Sequence, residues 1–173
     1  MCGVPNDHHA SVPGFAMGDS QSVAQPGAAA PPAPLSILVV DDDRVVGQLL
    51  AEGLAVMGHA VAVAQSANEA LHLLQDRHDI GVVVSDIRMP GNTGLDLALE
   101  VATRIEDARA ASIILITGHA TREEAATALR LGATAVLSKP CRLAELVSAV
   151  EKGLETARRR RSGAQHAAER APS

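Results

Sequence analysis

Five short apolar runs, each followed by a stretch with helical spacing, occupy the middle of the chain. The runs are Ile37–Val40, Ala60–Ala64, Ile80–Val84, Ile113–Ile116 and Ala135–Leu137. After the first, apolar residues recur at 45, 46, 49, 50, 54 and 57, the spacing of one helix face, and Gly58 follows as a stop. Ser66 and Thr121 stand where N-caps belong, opening helices to about Gln75 and to Leu131, with Gly132 closing the second. Residues 94–105 and Arg142 to about Arg159 complete the pattern. Such an alternation predicts an α/β fold, a five-stranded parallel sheet doubly wound with helices on both faces.

Composition agrees. Hydrophobic residues make up 47% of the 173 residues but aromatics only 1%, with Phe15 as the lone example. A core of Val, Leu, Ile and Ala suits buried parallel strands. The same scarcity argues against stacking platforms for single-stranded nucleic acid. The net charge is −5; residues 158–173 carry +4 and residues 1–34 carry −2, which leaves −7 on the middle. That balance does not suit DNA but suits a cation. Residues 1–34, rich in Pro, Ala and Gly, show no period and read as a disordered leader; residues 158–173 read as a basic, polar, disordered tail. The domain is placed at 35–157. Two cysteines, Cys2 and Cys141, no basic-then-apolar leader and no long apolar stretch point to a cytoplasmic chain with no membrane contact.

In folds of this kind ligands bind beyond the carboxyl ends of the strands, where the strand order reverses. Strand one ends in Asp41-Asp42-Asp43, strand three in Ser85-Asp86, strand four in Thr117-Gly118-His119 and strand five in Ser138-Lys139-Pro140. Taken singly each has an ordinary reading: Asp43 as an N-cap, Asp86 and Thr117 as turn residues, Lys139 as a loop lysine. Together they set carboxylates, a hydroxyl and an ammonium on one edge. Clustered carboxylates repel, and a divalent cation with hard oxygen ligands relieves that repulsion, which indicates Mg²⁺ or Mn²⁺. A carboxylate beside such an ion can attack a phosphoryl group whose oxygens the ion, a lysine and a hydroxyl neutralise.

The segments Ile37-Leu38-Val39-Val40-Asp41-Asp42-Asp43, Val84-Ser85-Asp86-Ile87-Arg88-Met89-Pro90 with Gly94, Ile116-Thr117-Gly118 and Ser138-Lys139-Pro140 resemble the receiver domain of two-component response regulators. The resemblance covers about residues 35–155 and implies a flavodoxin-like (β/α)5 fold. It implies Asp86 as phosphoacceptor, charged from a phosphohistidine on a sensor histidine kinase or a histidine phosphotransfer protein. Asp41 and Asp42 would hold Mg²⁺ with Asp86 and the backbone carbonyl of Arg88. Lys139 and Thr117 would meet the phosphoryl group, and the Lys139–Pro140 bond is often cis in this family. With no further domain expected, the reading is a stand-alone receiver that binds a downstream protein or passes the phosphoryl group on, without turnover catalysis or direct DNA contact.

Two positions depart from the family pattern: Val136 replaces the usual aromatic three residues before the lysine, and Cys141 replaces a frequent aromatic after Lys-Pro. The competing enzyme reading is a haloacid-dehalogenase-like phosphohydrolase, with Asp41-x-Asp43 as nucleophile motif; the late acidic pair it needs after Lys139 is missing, since Glu145, Glu151 and Glu155 stand apart. A flavodoxin-like cofactor module would meet repulsive aspartates after strand one. Arg158–Arg161 offers nucleic acid only weak contact and reads as a solvated helix end. His119 reads as a loop residue at the site's rim, and His8 and His9 as leader residues.

Overall fold

The structure, a computed structural model, describes residues 34–90, 93–103, 111–118 and 121–169. Residues 1–33 of the leader, His119 and Ile105 lie outside these residues. Ten elements alternate as expected: β1 (Ser36–Val40), α1 (Arg44–Val56), β2 (Val61–Ala64), α2 (Ala67–Asp76), β3 (Ile80–Asp86), α3 (Gly94–Thr103), β4 (Ser112–Thr117), α4 (Arg122–Arg130), β5 (Ala135–Ser138) and α5 (Leu143–Glu169). The strands form one sheet in the order β2-β1-β3-β4-β5, and every pairing is parallel. This is the flavodoxin-like receiver arrangement.

Strand period decides which residues serve which face. Ile37, Val39, Val82, Val84, Ile114 and Ile116 point to one side, where Ala51 and Leu54 of α1 and Leu146, Val150 and Leu154 of α5 cover them. Leu38, Val40, Val83, Ile113 and Leu115 point to the other, against Ala67 and Ala70 of α2, Leu97, Ala98 and Val101 of α3 and Ala128 of α4. Fully burying a Leu or Ile side chain stabilises by roughly 1.5–3 kcal/mol, so two aliphatic layers suffice without aromatics. Caps set the helix starts. Asp43 Oδ1 accepts the Val45 and Val46 amides at 2.9 and 3.3 Å, and Ser66 Oγ accepts the Glu69 amide at 3.2 Å. Gly58 and Gly132 follow α1 and α4 with φ of 91° and 94°, a region other residues enter at a cost.

One boundary is fixed and one expectation is corrected. Strand β3 runs two residues further than its apolar run, so Asp86 is its last residue, paired with Ile116 of β4. Helix α5 continues to Glu169 instead of ending near Arg159, so most of the segment read as a loose tail is helical. The reason is tertiary. Arg161 Nη1 donates to His78 O at 2.8 Å and Nη2 to Ile80 O at 2.6 Å, fastening the helix to the start of β3. Arg161 is therefore not the solvated end expected of it. Burial lowers its pKa, and nearby Asp79 acts in the opposite direction.

Candidate functional site

The order β2-β1-β3 places the reversal of winding between β1 and β3, so the crevice opens where those two strands end. Asp41 and Asp42 follow β1, and Asp86 ends β3. One carboxylate oxygen from each can be chosen so that all lie within 4.8 Å of one another, the one such acidic group among the described residues. Asp41 is buried, Asp86 half-buried and Asp42 exposed.

Lys139 reaches this group from the end of β5. Its Nζ lies 2.9 Å from Asp41 Oδ2 and 2.5 Å from Asp86 Oδ2. Partial burial works against the ammonium, but hydrogen bonds and charge from Asp86 and Asp41 outweigh it, and the Lys139 pKa stands above its ordinary value. The Lys139–Pro140 bond is cis. The Lys139 amide donates to Thr117 O at 2.7 Å, joining the ends of β4 and β5. Thr117 is fully buried at the last position of β4, opposite Ser138.

The two ends of the loop after β3 are held by backbone amides. The Arg88 amide donates to Asp86 Oδ1 at 3.0 Å, the Ile87 amide to Ile116 O at 3.0 Å and the Gly94 amide to Ile87 O at 2.9 Å. A Cβ on Gly94 would stand 2.1 Å from Asp86 O, so only glycine lets α3 begin against that carbonyl. Asp41 is oriented in turn by the Asp43 amide, 3.0 Å from its Oδ1.

All six residues expected at the site, Asp41, Asp42, Asp86, Arg88, Thr117 and Lys139, therefore lie on the ends of β1, β3, β4 and β5 or in the loops that directly follow them. Sequence reading missed Ser85, buried with its Oγ donating to Asp86 O at 2.9 Å, and the ion pair of Arg88 with Glu124 at 3.7 Å. Thr121 was visible as a helix start, but the tie of Glu124 to Arg88 is not written in spacing.

The donor set fits a hard divalent cation: three carboxylates, no sulfur and no imidazole, with an excess of negative charge that one lysine does not cancel. With a paired acidic crevice on a 2-1-3-4-5 sheet, the chain is a receiver-type signalling module. Residues 37–151 match the family described as the response regulator receiver domain, and the chain belongs to that family.

Among curated proteins it is 38% identical over 122 residues to the C4-dicarboxylate transport transcriptional regulatory protein DctD of Pseudomonas aeruginosa, covering 70% of this chain and 26% of that protein. It is 37% identical over 116 residues to the response regulator MprA of Mycolicibacterium vanbaalenii, covering 66% of this chain and 48% of that one. The chain thus spans from a quarter to a half of the length of these relatives. Among solved structures, a response regulator receiver protein from Pseudomonas putida is similar with a TM-score of 0.64 and 35% identity, covering 69% of this chain and 98% of that one. No helix among the described residues is long and apolar enough to cross a membrane.

Proposed function

We propose that Asp86 accepts a phosphoryl group from a phosphohistidine on a kinase or phosphotransfer protein in the cytoplasm. The observation that carries this reading is Lys139 Nζ bridging Asp41 and Asp86 beside the exposed Asp42. An Asp86 carboxylate oxygen attacks phosphorus, the P–N bond to the donor imidazole breaks, and that nitrogen leaves with the electron pair and takes up a proton. Mg²⁺ or Mn²⁺, held by Asp41, Asp42, Asp86 and the carbonyl of Arg88, would supply charge neutralisation for the phosphoryl oxygens. Lys139 stays bound to the acceptor side and meets the transferred group, and the Thr117 hydroxyl turns to donate to it.

An apolar surface on α1, the helix that starts just after Asp42, suits the donor. Val45, Leu49 and Val56 are exposed along α1, and a groove of about 430 Å³ lies beside them, lined by Leu49, Leu50, Val56, Cys141, Leu143 and Leu146. A helix carrying the phosphohistidine would lay its apolar face there. The output is binding of a downstream protein or onward transfer of the phosphoryl group. The phosphohydrolase alternative loses its second aspartate, because Asp43 is committed to capping α1.

The test is incubation with a small phosphodonor and Mg²⁺. One phosphoryl group per chain is expected, absent in Asp86→Asn, and slowed at limiting Mg²⁺ in Asp42→Asn. Label retained in Asp86→Asn would move the nucleophile elsewhere, and turnover of a phosphate ester well beyond one equivalent would favour the phosphohydrolase.

A further inference from the structure

Helix α4 begins on a carboxylate that faces two ways. Glu124 Oε2 accepts the Thr121 amide at 2.8 Å and the Thr121 hydroxyl at 3.1 Å, while the Glu124 amide donates to Thr121 Oγ1 at 3.1 Å. Its other oxygen, Oε1, lies 3.7 Å from Arg88 Nη2. Arg88 in turn donates its amide to Asp86 Oδ1. One residue therefore touches the acceptor carboxylate with its backbone and the first turn of α4 with its side chain.

The backbone just before Arg88 is fixed, and so is the start of α3. Ile87 is bonded to β4 and buried, and Gly94 packs against the Asp86 carbonyl with no room for a Cβ. The Arg88 side chain is 62% exposed and can change partner without moving that backbone. On β5 the position that would otherwise carry a swinging aromatic is Val136, which is β-branched, short and packed into the core layer that includes Ala128 of α4. A route from Asp86 to α4 that bypasses β5 is therefore needed.

We propose that Arg88 is a latch: it holds Glu124 in the unmodified domain and exchanges it for a phosphoryl oxygen when Asp86 is modified. The proposal rests on Asp86 being the phosphoacceptor. Modification adds roughly one further negative charge and several acceptor oxygens within reach of the loop. A guanidinium favours such oxygens, which it can engage with two N–H groups, over one carboxylate oxygen at a loose distance. Release of Glu124 removes the tie between the acceptor loop and α4 while leaving the Thr121 cap in place. Arg88 and Glu124 act here as positioning residues.

Amide hydrogen exchange at residues 125–128 tests the latch, with and without beryllofluoride and Mg²⁺, and with bound beryllofluoride measured by fluorine NMR. In wild type, loading should speed exchange at these amides about two- to fivefold, the size of a single exposed ion pair. Unloaded Glu124→Gln, which keeps a cap acceptor but loses the charge, should already exchange at the loaded rate and respond little to loading. Unloaded Arg88→Ala should match it, and Arg88→Lys should fall between. Arg88→Ala behaving as unloaded wild type, or a full loading response in Glu124→Gln, would overturn the latch while normal loading preserved the acceptor assignment. Failure of wild type to bind beryllofluoride, with Asp86→Asn still labelled by a phosphodonor, would overturn the acceptor assignment and the latch with it.

Discussion

Lys139 and Asp86 stand 2.5 Å apart, Nζ to Oδ2, although 53 residues separate them in the chain. The same ammonium is 2.9 Å from Asp41 Oδ2, so one cation holds together the ends of β1, β3 and β5. Replacing it leaves adjacent carboxylates with no cation between them. Lys139→Gln is expected to destabilise the metal-free domain by about 1–3 kcal/mol, the scale of hydrogen bonds to charged groups, and Mg²⁺ should restore part of the loss. The Lys139 pKa is raised in the fold, so its stabilisation is complete below the unfolded value of about 10.4 and declines as pH rises through the folded value. Urea midpoints of wild type and variant should therefore differ by a constant amount from pH 7 to about pH 10 and converge above. Equal midpoints at pH 7 would contradict this role.

Arg161 makes a second prediction. It donates two hydrogen bonds to the carbonyls of His78 and Ile80 across the bottom of the sheet. Its Nε, however, is buried with no hydrogen-bond partner among the described residues, which limits the net gain. Arg161→Ala should cost about 1–2 kcal/mol, and a chain ending at residue 157 should lose at least as much. Chemical denaturation of the three proteins decides it, and a 35–157 fragment as stable as the full chain would remove the clamp.

The acid side is governed by another pair. The Arg77 side chain, hydrogen-bonded to Asp79 at 2.7 Å, draws the Asp79 carboxyl down to about 2 against the effect of burial. A depressed carboxyl contributes stability that is fully present above its unfolded pKa of about 3.9 and is lost as pH falls through the folded value. Asp79→Asn should lower the urea midpoint at pH 6, and its difference from wild type should shrink between about pH 4 and pH 2. A difference that persists unchanged at pH 2 would assign the effect to something other than this carboxylate.

Signal transmission carries a fourth prediction. Thr117 lies at the end of β4, buried, and its carbonyl is tied to the Lys139 amide, whereas Val136 sits inside β5 with few rotamers open to it. Thr117→Ala should still be phosphorylated, more slowly, and should lose the exchange changes that beryllofluoride brings at the capping turn 121–124, while those at 125–128 that Arg88 carries persist. Val136→Ala should keep both. Changes centred on 134–138 and abolished by Val136→Ala would place the switch on the last strand.

Much of the fold was readable without coordinates because burial on both sides of a parallel strand forces unbroken β-branched runs. Val82-Val83-Val84 and Ile113-Ile114-Leu115 leave no other use for themselves. The caps were equally readable, since Asp43, Ser66 and Thr121 act on amides two or three residues away. Asp41, Asp86, Thr117 and Lys139 could be named because each ends or directly follows a strand, and parallel strands of one doubly wound sheet end on one edge.

What the sequence could not express are contacts whose partners are set by distance in space alone. Whether β3 stops at Val84 or continues to Asp86 depends on its pairing with Ile116, a register that only the assembled sheet defines. Whether α5 frays at Arg159 or runs to Glu169 depends on Arg161 finding two carbonyls 81 and 83 residues earlier. Arg88 and Glu124 likewise read as two surface charges until the β3–α3 loop and α4 are brought side by side. Local chemistry and periodicity determined the elements and the edge on which the site lies; tertiary packing decided where two of those elements end and which charges meet, because a hydrogen bond or ion pair between distant residues leaves no period in the chain.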